Sequence, residues 1–76
     1  MFAQSENKIK ALYYINKAIN IDSENVSYWK RYGKINFRLN LFKEAEVGFR
    51  KTLELGNYEL NTWLTRHDIL LKLGEH

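Results

Sequence analysis

His67 stands beside Asp68, and Glu44 and Glu46 lie on either side of Ala45; these are the residues whose types could support acid–base chemistry. Their spacing works against it. Consecutive side chains on a helix diverge by about 100°, so His67 and Asp68 cannot act as a pair without help from elsewhere, and Glu44 and Glu46 face different directions and are expected to be solvated. His67 reads as a packing or partly exposed residue. His76 sits at the end of the sequence, and the chain has no Cys, which removes thiolate zinc sites and disulfides. No Gly-rich phosphate loop, nucleophile elbow or Cys/His pair occurs. The expectation is a non-enzyme without cofactor or metal.

What remains is recognition chemistry. Lys30, Lys34 and Arg38 follow one another at i, i+4 and i+8, with Ser27 and Phe37 on the same side. On a helix this is a basic stripe with an aromatic beside it, suited to an acidic segment or the terminal carboxylate of an extended peptide. The plain alternative is a solvated helix face. A net charge of +3 and a pI near 9.3 act mainly on solubility and non-specific contacts with anions, whereas a dedicated nucleic-acid binder is usually more lopsided.

These residues need elements to hold them. Seventy-six residues, 45% hydrophobic and 28% charged, make one domain, 1–76, with a modest core. No stretch approaches the ~20 apolar residues of a membrane span, and the N-terminal segment has no apolar core of signal-peptide length; a soluble, cytoplasmic protein is expected. Apolar residues recur at helical spacing, interrupted only by short clusters of Asn, Asp, Ser and Gly, so the fold class is all-α with four helices. The first runs from Ser5 or Lys8 to Ile21, with Ile9, Ala11, Leu12, Ile15, Ala18 and Ile19 on one side and Ser5 as a possible cap. The second spans Val26 to Leu39, with Trp29, Tyr32, Gly33 and Asn36 along one stripe and Asn40 suited to a left-handed helix end. The third spans Phe42 to Leu55, with Ala45, Phe49, Thr52 and Leu53 inward and Gly56 after it. The fourth spans Leu60 to Leu73, followed by Gly74. Connections this short make neighbouring helices antiparallel.

A step of 34 residues carries Trp29 onto Trp63, Ala11 onto Ala45, Lys17 onto Lys51, Ile35 onto Ile69 and Leu39 onto Leu73. Self-similarity at about this period marks a helical repeat that must stack on neighbours to bury its apolar face. Trp29-x-x-Tyr32-Gly33, then Ala45-x-x-x-Phe49, then Leu53-x-Leu55 resembles the tetratricopeptide repeat family. The resemblance implies one full repeat over 26–59, preceded by the second helix of a repeat over 5–25 and followed by the first helix of another over 60–74. It gives Ala11, Ala18, Trp29, Tyr32, Gly33, Ala45, Phe49, Leu53 and Trp63 structural roles, with Gly33 and Ala45 small at the helix crossing and Trp29 and Phe49 filling the space around it. The sequence departs from the family pattern at His67, where Gly is expected, at Asn36, where an aromatic is usual, at Thr52, where Ala is usual, and at Ser23 and Asn57, where Pro often opens a unit. His67 implies wider spacing there.

By the same resemblance the concave face of the stack carries function, lined by Ser27, Lys30, Lys34, Phe37 and Arg38 on helix two and by Asn61, Leu64, Asp68, Leu71 and Lys72 on helix four. The implied function is a non-catalytic scaffold that binds a protein or peptide, with an acidic one favoured by the stripe. The family's two-carboxylate clamp for chaperone termini is not expected, since Lys34 and Thr65 replace Asn residues and Asn61 replaces a Lys. Helix four carries Leu60, Trp63, Leu64, Ile69, Leu70, Leu71 and Leu73 around much of its circumference, so self-association through 60–73, as a dimer, and a piece of a longer array are both expected. Two rival readings are a basic helix-turn-helix domain meeting nucleic acid through Lys30, Arg31, Lys34 and Arg38, and a module that only self-assembles through its terminal helices.

Overall fold

A computed structural model describes the backbone of residues 2–57 and 59–74 and side chains from Asn7 onward within that span. Its elements are α1 (Phe2–Ile21), α2 (Val26–Arg38), α3 (Phe42–Glu54) and α4 (Leu60–Lys72), with no strand among the described residues. α2 packs most extensively on α3, while α1 lies on α2 and α4 on α3. The four helices thus pack in chain order.

The ends of the helices follow from a few residues. Asn25 opens α2 by accepting the Tyr28 amide proton on its Oδ1 at 3.2 Å, which satisfies one of the donors a helix start leaves free. Asn40 takes a left-handed conformation with φ 62°. The Leu41 amide then donates to the Asn36 carbonyl at 2.9 Å, and the Asn40 amide to that of Phe37 at 3.1 Å. This is a Schellman closure. Gly56, with φ 101°, closes α3 the same way, the Asn57 amide reaching the Thr52 carbonyl and its own amide that of Leu53. The sequence reading is therefore right about the positions and conformations of Asn40 and Gly56. It is wrong about the start of α1: the helix begins at Phe2, so Ser5 lies inside it and cannot cap it.

Only three residues separate α2 from α3, and the contacts between them sit symmetrically about that link. Phe37 and Phe42 meet edge to face at 5.7 Å, and further along Gly33 faces Gly48. Pairs whose numbers rise on one helix as they fall on the other describe an antiparallel hairpin. A Cβ added to Gly48 would stand 2.7 Å from the Gly33 Cα and amide nitrogen, and one added to Gly33 would stand 2.9 Å from the Phe49 ring. The closest approach is thus glycine against glycine, not Gly33 against Ala45 as the sequence pattern implies. Ala45 is fully buried to one side of it, in the core with Phe49 and Ile69.

Around this crossing the interior is part polar. Asn36, almost fully buried, donates from Nδ2 to the Tyr32 carbonyl at 3.0 Å, and the Thr52 hydroxyl donates to the Gly48 carbonyl at 2.8 Å. Both bonds stay within the residue's own helix, so the Asn36 amide and the Thr52 hydroxyl donate without an acceptor across the interface. That is how Asn36 and Thr52 stand where an aromatic and an alanine were expected. On α1, Ile15 and Ile19 are buried and Leu12, Ala11 and Ala18 are half-buried, but Ile9 is exposed, contrary to its expected inward position. Trp29 packs edge to face on Tyr32 at 5.6 Å and donates its indole N–H to the Ser23 carbonyl at 2.7 Å, tying α2 to the preceding turn. α4 is held on α3 by Ile69, fully buried, and by Arg66, whose Nε lies 3.1 Å from the Glu46 carboxylate.

The glycine contact yields a direct test. Alanine at an exposed helical position would gain about 1 kcal/mol in helix propensity over glycine. At Gly48 the added methyl meets backbone, which cannot rotate away, so Gly48→Ala should lower stability by about 1–3 kcal/mol in urea unfolding. Equal or greater stability of that variant would contradict the close crossing.

Candidate functional site: a groove between α2 and α4

α3 forms the floor between α2 and α4, and an open groove of ≈ 400 Å³ lies there, lined by Lys34, Phe37, Arg38, Phe49, Leu64, Thr65 and Asp68. The helix hairpin explains why these seven converge. Lys34 and Arg38 are one turn apart on α2; Leu64 and Asp68 are one turn apart on α4. Phe37 and Phe49, already placed by the α2–α3 packing, supply an apolar base. The result is an apolar trough with two cations along one wall and one carboxylate on the other.

Five of the ten residues expected at a binding face line this trough: Lys34, Phe37, Arg38, Leu64 and Asp68. Ser27 borders a smaller depression of ≈ 230 Å³ with Lys30, Arg31 and Lys34. Asn61 borders a small one of ≈ 50 Å³ with Lys30, Lys34, Phe49, Thr62 and Thr65. Lys30, expected as a groove cation, is instead engaged: its Nζ donates to Glu59 Oε1 at 3.0 Å, linking α2 to the α3–α4 connection. Leu71 and Lys72 are corrections too. Leu71 is exposed and Lys72 holds its ammonium 5.5 Å from the centre of the Phe42 ring, and neither lines the trough. Leu71 stands two turns beyond Leu64 on nearly the same side of α4, past the end of the trough lining, and Lys72 reaches over the start of α3.

Two groove residues were missed. Phe49 read only as core, and Thr65 only as a replaced clamp residue; α4 must be laid on α3 before either is seen to border the space. Among the expected structural residues, Gly33, Ala45 and Phe49 are buried, and Ala11, Ala18, Trp29, Tyr32 and Leu53 are half-buried, whereas Trp63 is 50% exposed. Among the described residues Trp63 has no equivalent of the Ser23 contact that holds Trp29.

The charges of the site are arranged by Glu59. Its carboxylate accepts from Lys30 Nζ and from Asn57 Nδ2, each at 3.0 Å, while the Glu59 amide donates to Asn57 Oδ1 at 3.0 Å. The Lys30 hydrogen bond, then the Asn57 hydrogen bond, then the Lys30 and Lys34 charges hold the Glu59 carboxyl below the ordinary glutamate range. Lys34 and Arg38 make no ion pair with any described residue. The Thr62 hydroxyl oxygen is buried beside Lys30 and Lys34 without a hydrogen-bond partner among the described residues. An anionic ligand group would therefore meet donors rather than acceptors along the α2 wall.

His67 and Asp68 are both exposed, and Asp68 faces the groove while His67 does not line it. Among the described residues no group of three or more His, Asp or Glu side chains could hold a metal ion, and no helix is long and apolar enough to cross a membrane. Glu75 and His76 lie outside the described residues. Comparison with protein-family models, with curated proteins and with solved structures finds no match.

The Glu59 geometry makes a signed prediction. Carbon-detected NMR titration should give Glu59 a midpoint below the ordinary glutamate value, and Lys30→Ala should raise it. Because the folded-state value is the lower one, the contribution of this contact to stability is present above the ordinary carboxylate range and is lost as pH falls through the depressed midpoint. A midpoint unmoved by Lys30→Ala would contradict the pairing.

Proposed function

We propose that this chain is a non-catalytic protein-interaction module of tetratricopeptide-like architecture, which binds an extended peptide segment carrying acidic and apolar side chains in the groove between α2 and α4. The observation that carries this reading is the trough itself: Phe37, Phe49 and Leu64 form an apolar base beside two cations, Lys34 and Arg38, that make no ion pair among the described residues. Ligand sites combine an apolar lining with a few polar groups that fix orientation, and an arginine can grip a carboxylate with two parallel hydrogen bonds. Asp68 on the far wall favours a ligand with mixed charge over a uniformly acidic one.

The repeat architecture is supported by the order of packing and by the position of the motif residues. Gly33 lies at the α2–α3 crossing with the Phe49 ring against it, and Ala45 is buried beside them in the core. Helices stacked in sequence, each on its predecessor, leave the first helix of each pair to line one side of the layer. α2 and α4 are those helices, and the trough lies between them. A cytoplasmic setting belongs to the same reading.

The basic helix-turn-helix alternative loses its footing on α2. Lys30 is neutralised by Glu59, and a symmetric antiparallel hairpin with a three-residue link leaves α2 packed along α3 rather than projecting as a recognition helix.

Displayed peptide libraries should select sequences that pair an acidic residue with an aromatic or branched apolar one. Combined Lys34→Glu and Arg38→Glu substitution should weaken binding of a selected peptide by about tenfold or more, with the loss larger at low salt. Duplex DNA should be retained weakly and without sequence preference. Undiminished peptide affinity in the charge-reversed variant, or tight and specific DNA retention with a steep salt slope, would overturn the proposal.

A further inference from the structure

The trough continues past its apolar base toward the start of α4. Lys34, Phe49 and Thr65 line the trough and also border the ≈ 50 Å³ pocket that Lys30, Asn61 and Thr62 complete. That space is several times the ~10–15 Å³ that one water needs. Thr62 is 1% exposed, and its hydroxyl has no hydrogen-bond partner among the described residues. Thr52, also buried, instead donates to the Gly48 carbonyl at 2.8 Å. A buried hydroxyl without a partner costs stability, so its presence in a folded chain calls for a reason. The neighbours of Thr62 supply one. Lys34 makes no ion pair, and the Asn61 and Thr65 side chains make no hydrogen bond, among the described residues. No carboxylate lines the pocket. Glu59, at the N-cap of α4, turns its carboxylate to Lys30 and Asn57 and does not cap the helix. Asn61 and Thr62 therefore stand in an uncapped first turn, where the helix dipole favours an anion.

We propose that this pocket is a phosphate monoester site at the end of the trough, and that it receives a phosphorylated side chain of the bound peptide. The inference rests on the peptide-binding reading of the trough and names the group that its anionic end carries. A carboxylate offers two oxygens in one plane, whereas a phosphate monoester offers three strong acceptors on a tetrahedron and close to two negative charges. The donors here come from two helices: Lys34 on α2, Asn61 and Thr65 on the flank of α4, and the Thr62 hydroxyl deeper down. That distribution suits a tetrahedral group. α2 also brings Lys30, Arg31, Lys34 and Arg38 to this side, and of these only Lys30 is paired with a carboxylate among the described residues. The surplus of positive charge matches a dianion better than a single carboxylate. With the phosphate seated at Thr62, the apolar neighbours of the phosphorylated residue would lie along Phe49, Phe37 and Leu64.

Thr62→Val in the full chain tests this, with phenyl phosphate and with one trough-binding peptide in phosphorylated and unphosphorylated form. Lys34 belongs to trough and pocket alike and is left intact. Removing an unpartnered buried hydroxyl should leave the urea midpoint equal or higher; a lowered midpoint would mean that the hydroxyl has a structural partner and would contradict its place in the site. In amide NMR titration phenyl phosphate should shift Lys34, Asn61 and Thr62 saturably, and Thr62→Val should weaken it at least about fivefold. Benzoate should not saturate there. By fluorescence anisotropy the phosphorylated peptide should bind about tenfold tighter than the unphosphorylated one, or more. Thr62→Val should cut that advantage to about threefold or less and leave the unphosphorylated peptide unchanged. No saturable shift with phenyl phosphate, equal affinity of the two peptides, or an advantage that Thr62→Val leaves intact would overturn the inference, while the trough stands on the unphosphorylated peptide. Saturable phenyl phosphate binding without affinity for either peptide would overturn the peptide reading and leave the phosphate site standing.

Discussion

The near contact of Gly33 with Gly48 is the constraint on which the rest of this structure depends. With no side chain between them, α2 and α3 come together at backbone distance, and Phe49 is pressed into the space beside Gly33. That one crossing fixes the antiparallel hairpin. It also sets the level at which Phe49 serves two purposes, as the centre of the core on one side and the base of the groove on the other. Moving the helices apart by a methyl group would loosen the core and deepen the groove together, since interiors packed to crystal density transmit small changes in volume.

From this pair the other two helices take different kinds of contact. α1 leans on α2 through Ile15 and Ile19, with the Trp29 indole anchoring the intervening turn to Ser23. α4 is held by Ile69 and by an ion pair, Arg66 with Glu46, of which the carboxylate side chain is only 13% exposed. That pair also receives Arg50 from the next turn of α3. A partly buried, shared carboxylate resists screening better than a surface pair, and it positions α4 so that Leu64 and Asp68 face Lys34 and Arg38. The groove is thus a by-product of how the hairpin receives its third helix, and Glu59 trims its charge by drawing Lys30 aside.

Much of this was legible in the residues. Asn40 and Gly56 announced left-handed helix ends, and the apolar spacing set α2, α3 and α4 to within a residue at each boundary. The basic stripe and its counterparts on α4 named five of the seven residues that line the groove. What escaped had physical reasons. Gly48 sits mid-helix, where its small size carries no periodic signal and only the approach of Gly33 gives it meaning. The Lys30–Glu59 contact joins residues far apart in sequence across a loop, and no local pattern foretells it. Ile9 follows the helical period of α1 yet stays exposed, because α1 has a neighbour only where it crosses α2. Leu71 and Lys72 were assigned by analogy of position, but they sit one turn beyond Asp68, past the last α4 residue that lines the trough, and the Lys72 ammonium lies over Phe42 instead.

The proposed function puts partner binding in the trough. The most direct measurement is amide chemical-shift mapping of the intact chain during titration with an extended peptide that pairs a carboxylate with an aromatic residue. Shifts concentrated at Lys34, Phe37 and Arg38 on α2 and at Leu64, Thr65 and Asp68 on α4, with α1 silent, are the predicted result. Shifts confined to α1 or to the outer face of α4, or none at saturating peptide, would contradict it.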